Sequence, residues 1–155
     1  LHTNDSASAP NRLIDMGVQP FLIASSLIAI LAQRLVQVLC DECKRPHHVA
    51  NGELEILGLT ELPMEASIFE AVGCPKCNYK GYSGRTPVCE LLLITDEVKP
   101  LIMAKSDAGK IKKMAIAQGM KTLRQDTVTK VLIGITSIDE LVRAINEENE
   151  VERKE

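Results

Sequence analysis

Apolar residues gather in one long run early in the chain, from Phe21 to Leu39, broken by Ser25 and Ser26 and turning polar at Gln33 and Arg34. Pro20 stands just ahead of it, where a fixed φ suits the first turn of a helix, so the run predicts a single buried helix. Its apolar residues fall on nearly all sides rather than on one stripe, which requires neighbours all round. It is too interrupted to span a membrane, which takes about 20 mostly apolar residues. Ahead of it the pattern predicts a polar loop and a short helical turn, Arg12 to Met16, stopped by Gly17. Val88 to Ile94 is a short apolar run between breakers and predicts a strand.

Beyond that strand the periodicity is helical. Asp107 can cap a helix that ends at Gly119, Thr122 with Gln125 forms a capping box for a helix closed by Gly134, and Ser137 with Glu140 forms another. Ile138, Leu141, Val142 and Ile145 then repeat on one face. Pro100 is tolerable only if it falls in the first turn of the helix expected from about Thr95. The tail from Asn146 is nearly all charged and reads as a solvated, fraying end. These signals divide the chain into residues 1–39, 40–90 and 91–155 and predict a mainly helical α+β protein.

The middle segment carries the chemistry. Cys40 and Cys43 form one C-x-x-C pair and Cys74 and Cys77 a second, with residues 44–73 between them. Each pair can present two thiolates on one side of a tight turn, and two such turns supply the four sulfurs that tetrahedral Zn²⁺ prefers. A dithiol redox site needs only one pair, and plain buried thiols need no spacing at all, so structural zinc is the reading this pattern favours. Cys89 has no partner at ligand spacing and reads as packing. His47 and His48 follow the first pair closely enough to be reserve ligands.

Composition narrows the function further. The chain has 155 residues, 45% of them hydrophobic, which is enough for a core without a membrane. Two Phe, two Tyr, no Trp and a net charge of −3 give neither stacking surfaces nor the basic excess that nucleic acid requires, so no nucleic-acid partner is expected. Reduced cysteines and the lack of basic and apolar blocks in the first ten residues fit a cytoplasmic location. The chain opens on Leu-His-Thr-Asn rather than Met and reads as an excised piece, whose apolar run has lost upstream neighbours and favours oligomers.

Several separated motifs occur together in a familiar order. Leu1-His2-Thr3-Asn4, Arg12-Leu13-Ile14-Asp15-Met16-Gly17-Val18, Ala24-Ser25-Ser26-Leu27 and Ala32-Gln33-Arg34-Leu35-Val36 precede the first cysteine. Cys74-Pro75-Lys76-Cys77, Gly81-Tyr82-Ser83-Gly84-Arg85, Glu90-Leu91-Leu92, Gly119-Met120-Lys121-Thr122-Leu123, Lys130-Val131 and Gly134-Ile135-Thr136-Ser137 follow it. Over about residues 1–145 the chain resembles the C-terminal part of the ATPases that drive type II secretion and type IV pilus assembly in bacteria. It departs from that pattern at Pro87, Cys89 and Thr127.

The resemblance implies that residues 1–39 end a RecA-like α/β ATPase core, followed by a tetracysteine zinc subdomain over 40–90 and a helical C-terminal subdomain over 91–155. It implies a homo-hexamer that binds ATP and Mg²⁺ in the intact parent and works on inner-membrane secretion or pilus platform proteins from the cytoplasmic side. His2 matches the family's nucleotide-sensing histidine, and Arg34 follows its Gln-Arg-Leu pattern without an assigned role. No G-x-x-x-x-G-K-[ST] loop occurs in these 155 residues, so the chain alone has no phosphate cradle of that kind and is expected to be inactive. The competing expectations are a free-standing zinc-dependent interaction module, which would have no phosphate-binding loop upstream, and a thiol oxidoreductase, which would show a fast-reacting cysteine.

Overall fold

A computed structural model describes residues 3 and 5–152, with side chains through residue 146. The described residues form an α+β protein of seven α-helices and two small two-stranded sheets. Their contacts group into two compact units, Leu1–Arg34 with Cys89–Leu123 and Leu35–Val88 with Arg124–Glu155.

In the first unit, helix α1 (Ala9–Asp15) ends ahead of Gly17, as the sequence predicts, and α2 (Pro20–Ser26) starts on its proline. The expected helix from Phe21 to Leu39 does not form as one element. It stops at Ser26, Leu27 turns extended (φ −83°, ψ 136°), and strand β1 runs from Ala29 to Leu39. The second half of the run is rich in β-branched residues, Ile28, Ile30, Val36 and Val38, which pack well on a pleated surface. Its partner is β4 (Tyr82–Leu93), longer than the strand predicted over 88–94. Bonds from Ile94 N to Ile28 O and from Cys40 N to Gly81 O, both 2.9 Å, bracket the pair and show that the strands run in opposite directions. Among the described residues, no helix is long and apolar enough to cross a membrane.

Helix α4 (Val98–Met103) places Pro100 third, inside the first turn, where its missing N–H has no intrahelical acceptor to lose. Asp107 caps α5 (Ala108–Ala117) by accepting from Lys110 N at 3.0 Å. Ala7, Ile23, Ala24, Leu92, Ile94, Val98, Ile102, Ile111 and Ala115 form the core of this unit. Beside it, Glu90 is fully buried and accepts from Ser6 N and Oγ (2.9 and 2.5 Å) and from Leu123 N (3.4 Å), the first residue of α6 (Leu123–Leu132). That carboxylate offers an acceptor, and a negative charge, to the N-terminus of a helix.

The second unit contains the cysteines. After β2 (Arg45–Pro46) and α3 (Asn51–Leu57), strand β3 (Phe69–Glu70) pairs antiparallel with β2, Arg45 opposite Glu70 and Pro46 opposite Phe69. Its core joins Leu57 and Ile68 to Val131, Ile138 and Leu141 from α6 and α7 (Ile138–Glu152). Ser137 Oγ accepts from Glu140 N at 3.3 Å, the cap the sequence predicts. The Glu140 carboxylate turns instead to Gln37 of β1, accepting from its N (2.7 Å) and Nε2 (3.1 Å), and to Arg143 (2.8 Å). The turn between α6 and α7 is also tied to the strands by Leu39 N to Ile135 O (2.9 Å) and Thr136 Oγ1 to Gln37 O (2.7 Å).

Candidate metal centre

Two tight turns bring the four predicted cysteines together. Cys40 follows the end of β1, and the amides of Cys43 and Lys44 bond back to its carbonyl at 3.2 and 2.9 Å. Cys74 leads into a single 3-10 turn, Pro75–Cys77, after which Asn78 and Tyr79 adopt positive φ (52° and 61°) and Tyr79 N reaches Cys74 O at 2.9 Å. All four Sγ atoms lie within 4.8 Å of one another. The pairs 40–74 and 43–77 stand at 3.9 Å and the pair 74–77 at 3.8 Å. A tetrahedron of sulfurs about 2.3 Å from Zn²⁺ has edges of about 3.8 Å, so the set fits that ion with little adjustment.

Backbone donors support anionic sulfur. Gly73 N approaches Cys43 Sγ at 3.3 Å, and Cys74 N and Gly81 N each approach Cys77 Sγ at 3.2 Å. Against burial, which raises it, these two amides bring the Cys77 thiol down to about 6. Burial above all, with the neighbouring sulfurs, pushes Cys43 up to about 11 despite the Gly73 amide. Lys76 pairs with Glu42, which with the charge of Cys74 and Cys40 holds its ammonium above the usual lysine range.

Gly81 links the two turns. Its N–H points to Cys77 and its carbonyl accepts from Cys40 N, while its φ is +78° and an added Cβ would stand 2.7 Å from Ala71 Cβ. In sequence Gly81 stands only as the first residue of the Gly81-Tyr82-Ser83-Gly84-Arg85 motif; its place four residues after Cys77 is the available signal of this second role.

The remaining candidates sit elsewhere. His47 points away from the sulfurs to two carboxylates, Glu70 (Nδ1, 3.1 Å) and Glu53 (Nε2, 2.9 Å). Among the described residues, the cysteine quartet is the one group of His, Cys, Asp and Glu placed to share an ion, so neither His47 nor His48 joins it. Cys89 is half-buried in β4, apart from the quartet. Arg34 lies in β1, on a strand rather than on the surface of the expected helix. His2 lies outside the described residues. Of the lysines on α5, Lys112 bonds Asp5 at 3.0 Å and Lys110 lies 3.5 Å from Asp107.

Residues 1–143 match the family described as Type II/IV secretion system protein. The chain is 44% identical over 147 residues to the Type II secretion system ATPase E of Vibrio cholerae, covering 95% of this chain and 29% of that protein. It is 43% identical over 143 residues to the Type IV pilus assembly ATPase PilB of Thermus thermophilus, covering 92% of this chain and 16% of that protein. With the Type II secretion system protein E of Dickeya dadantii the figures are 43% over 149 residues, 96% and 29%. The chain therefore spans less than a third of the length of these relatives. Its match across both cysteine pairs and the helices on either side places the chain in the Type II/IV secretion system protein family.

Proposed function

We propose that this chain is the C-terminal portion of a hexameric P-loop ATPase that powers type II protein secretion or type IV pilus assembly. In this reading residues 1–39 end a RecA-like core, 40–90 form a zinc subdomain and 91–155 a helical subdomain. ATP and Mg²⁺ bind upstream, and the assembly works in the cytoplasm beneath inner-membrane platform proteins. The observation that carries the reading is the convergence of four sulfurs at zinc spacing in a chain that matches the family over residues 1–143.

Cys40, Cys43, Cys74 and Cys77 would hold the zinc, which supplies a structural cross-link worth on the order of 10 kcal/mol of folding energy. The chain's own residues do the rest. Gly73, Cys74 and Gly81 aim amides at the sulfurs, and Gly81 fastens one cysteine turn to the other. Lys44 lies over the Phe69 ring at 5.1 Å and donates to Gly134 O at 3.4 Å, so the first cysteine turn is joined to β3 and to the end of α6 within one unit.

The test has three arms. Full-length gene product should hydrolyse ATP, the 155-residue chain should not, and metal analysis of either should find one zinc. A full-length product that lacks a phosphate-binding loop and turns over no ATP would leave the zinc-dependent interaction module in its place.

A further inference from the structure

The strongest unassigned cluster is His47 with its two carboxylates. His47 follows β2 and its backbone N–H bonds Ile68 O at 2.9 Å, which fixes the ring beside the strand pair. Nδ1 faces Glu70 Oε2 at 3.1 Å, and Nε2 faces Glu53 Oε2 and Oε1 at 2.9 and 3.0 Å. Glu53 Oε2 also accepts from Ala50 N at 2.8 Å, closing the first turn of α3. A neutral imidazole has one N–H, so it can donate to only one of these carboxylates and would turn a lone pair towards the other. Both contacts are satisfied only by the imidazolium.

We propose that His47 is a proton-controlled clasp, which in its charged form ties α3 to the paired strands β2 and β3 and on losing its proton releases one of the two. The groups that face it are Glu53 from α3 and Glu70 from β3, and Asp139 at the start of α7 lines the same small cavity of about 50 Å³ with Ser137 and Phe69. All three are carboxylates and favour the proton, while Arg45, opposite Glu70, and Lys44, over the Phe69 ring, are the cations that oppose it. The Glu53 bond above all, and Glu70, raise the affinity of the ring for its proton over that of free histidine, against partial burial. A histidine whose folded value is raised contributes stability that is complete below the ordinary value of 6.5 and fades as pH rises through the folded value. The clasp is therefore closed below pH 6.5 and opens as pH rises through the folded value. It does not depend on the proposed function, since α3, β2 and β3 belong to one unit and none of the three residues is a cysteine ligand.

The experiment follows the His47 Hε1 resonance and the amide exchange of α3 in the zinc-loaded chain between pH 5.5 and 9. In the wild type, His47 should titrate above free histidine, and the protection factors of the α3 amides should fall several-fold across that titration. Glu53→Gln and Glu70→Gln should each lower the midpoint, and His47→Gln should abolish the pH-dependence of α3 protection while leaving the zinc content unchanged. A wild-type midpoint at or below that of free histidine, or a pH-dependent loss of α3 protection that persists in His47→Gln, overturns the clasp.

Discussion

Replacing Gly81 by Ala tests how the two cysteine turns are joined. The residue holds φ +78°, where an L side chain costs about 1–2 kcal/mol. The new Cβ would also stand 2.7 Å from Ala71 Cβ, well inside the ordinary carbon contact of about 3.5–4.0 Å, and relieving such overpacking typically costs about 1–3 kcal/mol. Gly84 supplies the control, with a similar φ of +84° and no atom within 4 Å of the position a Cβ would take. The two substitutions share the backbone strain and the change in unfolded-chain entropy, so their difference isolates the clash. Where metal binding and folding of the lobe are one equilibrium, that difference appears in the zinc affinity as about one to two decades, at about 1.4 kcal/mol per decade. Competition of each variant against a chromogenic chelator at fixed pH measures it. Equal zinc affinities for Gly81→Ala and Gly84→Ala would refute the argument that Gly81 is required for close approach rather than for φ alone.

Other outcomes follow from the buried carboxylates and the thiols. Glu90→Ala removes the acceptor of the buried Ser6 N, and at about 1–3 kcal/mol for a buried unsatisfied group it should lower the denaturant-derived stability by at least about 1 kcal/mol; an unchanged stability would show that water replaces the carboxylate. Glu140 is held below the usual carboxylate range, against burial, by Arg143 and by the Gln37 amides, so its contribution is complete above the ordinary value of 4.5 and is lost as pH falls through the folded value. Acid unfolding of Glu140→Gln should therefore show a shallower pH-dependence than wild type in that window. Zinc loading at pH 7 should release protons, Cys43 contributing one because its thiol is pushed up to about 11 and Cys77 much less because it sits at about 6. Calorimetry in buffers of different ionisation enthalpy measures that release, and a buffer-independent heat would contradict it.

What the sequence made legible were the features whose cause is local. Two residues between cysteines define a turn, so Cys40, Cys43, Cys74 and Cys77 could be named from spacing alone, and the structure brings their sulfurs within 4.8 Å. Asp107 and Ser137 cap helices through donors three residues ahead, again a local relation. The failure at Phe21–Leu39 has a non-local cause. Strand β1 carries Leu31, Leu35 and Leu39 on one side and Ile30, Val36 and Val38 on the other, so both faces are apolar and no period of two stands out. Its conformation is decided by pairing with Tyr82–Leu93, some fifty positions later, whose backbone groups would otherwise lack partners. The same distance hid the roles of two acids. Glu90 reads in sequence as one residue of a predicted strand, and Glu140 as the far half of a capping box, yet one receives Ser6 and Leu123 and the other receives Gln37. Glu140 meets Gln37 on a segment the sequence read as helix, so that miss shares its origin with the error in β1, whereas Glu90 sits in the strand read over 88–94 and was missed because Ser6 and Leu123 are remote from it in sequence. Gln37 comes to the start of α7 through the bonds that tie the α6–α7 turn to β1, Leu39 N to Ile135 O and Thr136 Oγ1 to Gln37 O, and these turn Glu140 away from its own helix cap.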